Sequence, residues 1–242
     1  GTLTNNHSLT NHGTLTNNST LHNNHSLTNH GTLTNNHSLT NHGTLTNDTD
    51  GTLANNSTLY NYGTLQNYGT LTNDTGGTLI NLPGGTLTNY YSLYNHGTLT
   101  NDSTLQNYGT LTNDTGGTLT NNHSLTNNHS LTNHGMLTND TGGTLTNNAG
   151  GTLTNDTGGT LTNNHSLTNH GTLTNNHWLK NQPGGTLTNN HSLTNHGWLF
   201  NNNTGTLYNY GTLTNDTGGT LDNHGWLSNN GGTLTNDTDG ML

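Results

Sequence analysis

Histidine, aspartate, asparagine and hydroxyl side chains recur at fixed distances along this 242-residue chain, and these are the groups that could do chemistry. Of 17 histidines, His12, His30, His42, His96, His134, His170, His196 and His224 follow a recurring Asn. His7, His25, His37, His123, His129, His165, His177 and His191 stand where Gly otherwise stands. Equal positions of stacked repeats lie about 4.8 Å apart, so rows of imidazoles would be offered to Zn²⁺ or Cu²⁺. A closed metal site needs convergent ligands, and no isolated cluster stands out. No metal or other cofactor is expected, and exposed corner imidazoles suit hydrogen bonding or a response at about pH 6.

Two acidic turns, Asn47-Asp48-Thr49-Asp50-Gly51 and Asn236-Asp237-Thr238-Asp239-Gly240, loosely resemble calcium loops. Such loops need further oxygen ligands and a distal Glu, and the chain has no Glu. Asx turns account for them, since related turns replace the second Asp with Gly, as in Asn73-Asp74-Thr75-Gly76. Glycosylation sequons are more suggestive. Acceptor candidates are Asn6, Asn24, Asn36, Asn122, Asn128, Asn164, Asn190 and Asn202, each at an expected corner from which a glycan would stand clear. Asn47, Asn113 and Asn155 also head sequons, but they coincide with residues expected inside. No Ser/His/acid constellation, phosphate loop or carboxylate pair stands apart from the repeat background, so catalysis is not expected.

The element that must position all these groups is six residues long, typically Gly-Thr-Leu-Thr-Asn-x, and it fills the chain. Leu recurs every six residues from Leu3 to Leu45 and steps by eight to Leu53, and nearly every later spacing is even, Leu227 to Leu234 excepted. Side chains alternate faces along a strand, so an even insertion keeps the next Leu pointing inward. The insertions, such as Thr49-Asp50, Thr75-Gly76, Pro83-Gly84 and Ala149-Gly150, have turn composition. Thr-Leu-Thr reads as a short strand with Leu inside and both Thr outside. The following Asn and the Gly opening the next unit are expected to turn, with access to left-handed backbone angles. Asn shares the inward parity of Leu, so Asn5, Asn11, Asn17, Asn23 and Asn29 are expected to begin an amide ladder between coils.

Composition agrees with a stack and disagrees with a globule. Only 23% of residues are hydrophobic and 5% charged, with no Cys, no Val, one Ile and one Phe. One Leu in six fills a thin repetitive core, not a broad one, and burying a single Leu cannot order six residues of backbone without neighbours above and below. The reading is an all-β parallel β-solenoid, or β-helix, of hexapeptide-type repeats with a Leu core column and an Asn ladder. It forms one continuous array over 1–242 as a segment of a longer fibre or stalk. With three units to a coil it has roughly a dozen coils; two units to a coil stay open. A formal charge of −10 with a single Lys argues against nucleic acid, and no apolar run reaches membrane-span length.

The Gly-x-Leu-x-Asn pattern, as in Gly13-Thr14-Leu15-Thr16-Asn17 and Gly171-Thr172-Leu173-Thr174-Asn175, resembles the arrays of large secreted bacterial adhesins of the filamentous-haemagglutinin type. That resemblance implies a parallel β-solenoid used as a surface stalk or fibre. The expectation is therefore a structural or adhesive extracellular or cell-surface protein, self-associating end to end or laterally into fibres, with glycans as further partners. Two alternatives stand beside it. One is a ligand surface that binds ice through Thr-x-Thr rows, or carbohydrate through outward aromatics at Trp178, Trp198 and Trp226. The other is an Asn-rich low-complexity segment that is disordered or forms cross-β between chains.

Overall fold

The computed structural model describes residues 1–242 and contains thirty-six strands and no helix. Almost every strand is the same four-residue stretch, Thr-Leu-Thr-Asn or a close variant, from Thr2–Asn5 to Thr233–Asn236. Each strand pairs in parallel with the strand three places further on, so three strands make one coil and the strands amount to about twelve coils. The register keeps like on like: Thr2 lies against Thr20, Leu3 against Leu21, Thr4 against His22 and Asn5 against Asn23. Successive layers come from one polypeptide, and the fold is a parallel β-solenoid with three units to the coil.

The chain forms two compact units, residues 1–119 and 120–242. In the first, strands such as Thr58–Asn61 and Thr78–Asn81 pair across the 20 positions between Leu59 and Leu79. In the second, Thr172–Asn175 pairs with Ser192–Asn195 in the same manner. In both units the burial alternates along the interior strands, Leu and Asn inside and the flanking residues half-buried or exposed. Within each unit the repeat-phased leucines, Leu21 to Leu119 in the first and Leu125 to Leu213 in the second, are fully buried, forming the narrow column that the period-six spacing predicts. The odd step between Leu227 and Leu234 is absorbed in the loop, where Gly231 takes φ 78, and Leu213 still pairs with Leu234.

Asparagine is in the strand, not in the turn. The strands run one residue past Thr-Leu-Thr, and the Asn closing each one is fully buried in the interior coils. Its amide bridges layers. Asn23 Nδ2 donates to Asn41 Oδ1 at 2.7 Å and to the Thr44 carbonyl at 2.9 Å. In the second unit Asn169 Nδ2 donates to Asn189 Oδ1 at 2.8 Å and to the Ser192 carbonyl at 2.7 Å. Asn5, Asn11, Asn17, Asn23 and Asn29 all donate to the Asn of the following coil at 2.7–2.8 Å. No buried side-chain N or O atom lacks a partner, which is what allows amides to occupy a core that would otherwise exclude them.

The left-handed backbone expected at Asn and at the unit-opening Gly is instead confined to the longer, inserted corners. Their inserted pair occupies the centre of a β-turn, as where Gly77 N–H donates to the Asp74 carbonyl at 2.7 Å and Gly76 has φ 83. Pro83 followed by Gly84 at φ 89 is the type II arrangement, proline first and a positive φ second. Three such positions hold residues other than Gly: Asp50, Thr204 and Asp239, with φ between 62 and 70. Where Gly opens a six-residue unit it meets a different constraint, close approach. A Cβ on Gly69 would lie 2.2 Å from the Gly51 carbonyl oxygen of the preceding coil.

Candidate functional site

With Leu and Asn inside, every remaining side chain stands in an outward row, one coil apart from its equivalents. The residue after each ladder Asn forms a second, exterior ladder at the corners. Asn24 Nδ2 donates to Asn6 Oδ1 at 2.8 Å, and Asn36 and Asn56 continue a row from Asn18 at 2.8 and 2.7 Å. His12 stacks on His30 with centroids 4.8 Å apart, and His30 Nδ1 pairs with Asp48 at 3.0 Å. Rows of His and Asp recur at His96–Asp114 (3.1 Å), His134–Asp156 (3.6 Å) and His196–Asp216 (3.1 Å). Asp156 accepts from the Thr157 backbone N–H and from Asn176, which hold its carboxyl below the ordinary value, with His134 adding in the same direction. No group of three or more His, Cys, Asp or Glu is arranged to hold a metal ion.

The sequon asparagines take up these corner positions. Asn6, Asn24, Asn36 and Asn190 are exposed, while Asn122, Asn128, Asn164 and Asn202 are half-buried. Asn164 donates to Asp140 at 3.2 Å and Asn202 to Gln182 at 3.1 Å, so several candidate acceptors already belong to the exterior ladder. Asn47, Asn113 and Asn155 are fully buried ladder residues, closed to any transferase. Three exposed sequons stand outside those acceptors: Asn18-Ser19-Thr20, Asn56-Ser57-Thr58 and Asn236-Asp237-Thr238. The signal was present in the triplets; in the first two, Ser in place of the unit-opening His or Gly obscured it.

Aromatic side chains gather in two places. In residues 1–119, Tyr68, Tyr90 and Tyr108 stack at one corner with centroids 4.4 and 5.5 Å apart. Burial first, and then the neighbouring Tyr68, raise the Tyr90 hydroxyl above its ordinary value. In residues 120–242, Trp178, Trp198 and Phe200 stack at 5.2–5.7 Å on one face, and the only Lys, Lys180, lies 5.2 Å from the Trp178 ring centre. Trp198 and Trp226 are 42% and 66% exposed.

Two small cavities mark equivalent corners. Each lies where a two-residue insertion overhangs the shorter turns of the following coils. The first, about 280 Å³, is lined by Thr49, Asp50, Thr52, Tyr68, Thr70 and Tyr91 among others. The second, about 210 Å³, is lined by Ala149, Gly150, His170, Thr172 and His191 among others. No arrangement of nucleophile, base and oxyanion donor occurs in either.

The haemagglutinin repeat profile matches residues 1–57, 25–89, 69–135 and 85–164, together spanning 1–164 of the chain. The chain belongs to the haemagglutinin repeat family. Three Gly-x-Leu-x-Asn units of these haemagglutinin repeats make up each coil described above. No curated relative matches them. Among solved structures, the crystal structure of a TibC-catalysed hyper-glycosylated TibA fragment is similar at 15% identity and a TM-score of 0.31, covering 100% of this chain and 97% of that one.

Proposed function

We propose that this chain is a structural and adhesive segment of an extracellular fibre or cell-surface stalk, without catalysis. The observation that carries the reading is repetition: one coil plan, with Leu and Asn fixed inside, is repeated about twelve times while only outward residues vary. Such an architecture supplies length and display, and its stability sums over neighbouring layers. Membership of the haemagglutinin repeat family supports an adhesin-like role. In this reading residues 1–242 form one continuous array, and the chain associates end to end through strand edges or laterally through the Trp178–Trp198–Phe200 face. Glycans attach at exposed corners such as Asn6, Asn36 and Asn190. Neighbouring acceptors one coil apart leave about 4.8 Å between them, so alternate occupancy is expected. The test is retention of cells under flow on a surface coated with the purified chain, alongside circular dichroism and electron micrographs. Retained cells and rod-shaped particles are expected. A coil-like spectrum would remove the stalk, and rods that retain no cells would remove adhesion.

A second reading is favoured by one face of residues 120–242. The strands Ser130–Asn133, Thr152–Asn155, Thr172–Asn175, Ser192–Asn195, Thr212–Asn215 and Thr233–Asn236 are neighbours in one sheet, and both outward positions of every one are Ser or Thr. The aromatics that interrupt Thr-x-Thr in this unit all lie on the other two faces. A regular hydroxyl and methyl array of this kind suits ordered water, and ice in particular. Thermal hysteresis with crystal shaping is the expected signature, and freezing at the equilibrium point in concentrated protein would dismiss it.

A further inference from the structure

We propose that the cavity beside Asp50 binds a primary ammonium group, presented as a lysine side chain by a basic partner surface. Three observations meet there. The first is conformational. Asp50 occupies the second central position of its turn at φ 68, whereas the corresponding position of the equivalent corner is Gly150 at φ 83. Glycine meets no Cβ penalty on this backbone and Asp is among the few other residues that visit it, so this corner carries a carboxylate where its equivalent carries no side chain. Its carboxylate is exposed and enters none of the ion pairs of the molecule, unlike Asp48 two residues earlier, which is bound by His30 and by the Thr49 N–H.

The second is the wall. Tyr68 and Tyr91 line the same cavity, with Tyr91 62% exposed. Aromatic rings and an unpaired carboxylate form a combination that attracts an organic cation through the ring quadrupole and the formal charge. The molecule uses the first of these attractions elsewhere, since its one lysine ammonium, that of Lys180, sits near the Trp178 ring. The third is charge. Eleven acidic residues face one Lys, giving a formal charge of −10, so encounter with a cationic surface is favoured at long range. The cavity, about 280 Å³, is small enough to suit a side-chain end better than a whole cofactor. The remaining groups at its edge, the hydroxyls of Thr49, Thr52 and Thr70, can accept hydrogen bonds and so favour a primary over a quaternary ammonium. The site goes beyond the stalk reading and would survive its failure.

The test titrates the full chain with an acetylated and amidated Gly-Lys-Gly peptide, following the backbone amides of Gly51, Tyr68, Gly69 and Tyr91 by NMR. Parallel titrations use the norleucine counterpart and tetramethylammonium. A saturable shift in the millimolar range is expected for the lysine peptide, and none for the norleucine peptide. Asp50→Gly should weaken binding about fivefold or more through loss of the formal charge while the melting temperature rises, which separates lost recognition from lost folding. Tyr91→Ala should weaken it less, and His191→Ala, at the equivalent corner, should leave it unchanged. Equal shifts with the norleucine peptide, no saturation, undiminished binding by Asp50→Gly, or tighter binding of tetramethylammonium would each overturn the proposal.

Discussion

The corner at Thr49–Tyr91 and the corner at Ala149–His191 are built on one backbone plan and finished with different walls. In the first, Gly51 N–H closes its turn on the Asp48 carbonyl at 2.8 Å, Thr70 N–H reaches Gly51 at 2.9 Å, and Ser92 N–H reaches Gly69 at 3.3 Å. In the second, the corresponding bonds are Gly151 to Asn148 at 2.8 Å, Thr172 to Gly151 at 2.9 Å, and Ser192 to Gly171 at 3.3 Å. Even the space is alike: a Cβ on Gly69 or on Gly171 would meet the carbonyl oxygen of the coil before at 2.2 Å. Yet one corner ends in Asp50, Tyr68 and Tyr91, and the other in Gly150, His170 and His191. The interior fixes the scaffold so completely that exterior chemistry can change from coil to coil without disturbing it. That separation is what a display architecture requires.

The sharpest way to break this comparison is through the core. Leu71 and Leu173, fully buried in the strands that leave the two corners, should each cost about 2–5 kcal/mol on replacement by Ala. The two values, read from denaturant melts, should agree closely, and a large inequality would mean that the corners do not rest on equivalent interiors. Next in size, Gly69→Ala and Gly171→Ala should each destabilise by about 1–3 kcal/mol, because the added methyl meets backbone that cannot yield without shifting a coil.

Asp50→Gly and Gly150→Asp should then move stability in opposite directions by about 1–2 kcal/mol, the usual cost of left-handed backbone for a residue with a Cβ. Thermal melts of the pair would sharpen the claim that only the walls differ. The smallest effect is expected away from both corners, at Asp156. Its folded value lies below the ordinary one, so its contribution to stability is full above the unfolded value and is lost as pH falls through the folded value. An NMR titration of its carboxyl should show the depressed midpoint, and Asn176→Ala should bring it back toward the ordinary value by removing one of the donors.

Much of the interior was legible from the residues alone. Leu59 and Asn61 point inward because a strand alternates faces, and an Asn kept constant beside positions as varied as Tyr60, Gln66 and Lys180 identifies a residue held by its own kind. The location of the turns was read less well. Asn was expected to turn the chain, but its backbone stays in the ladder of strands, because its side chain must reach the coil above from an inward-facing position. Positive φ was expected at the unit-opening Gly and is found instead at Gly76, Gly84 and their equivalents, since the shorter corners close without it.

The exterior was not legible in the same way. Tyr60, Tyr94, Phe200 and Tyr208 appear scattered through the Thr-x-Thr pattern, but the insertions shift which residues share a row. Only the three-strand coil reveals that Trp178, Trp198 and Phe200 meet on one face, and that a neighbouring face of the same unit carries hydroxyls alone. Asp50 and Tyr91 are likewise far apart in the chain and near in space.

What the sequence by itself determined is the section through the solenoid: a period of six with fixed parity dictates Leu and Asn inside and hydroxyls outside, whatever the coil count. What the tertiary structure alone decided is adjacency along the stack. Three strands to the coil, with insertions of uneven placement, set which outward residues become neighbours. Those contacts join residues about twenty or forty positions apart, a distance that no local pattern encodes.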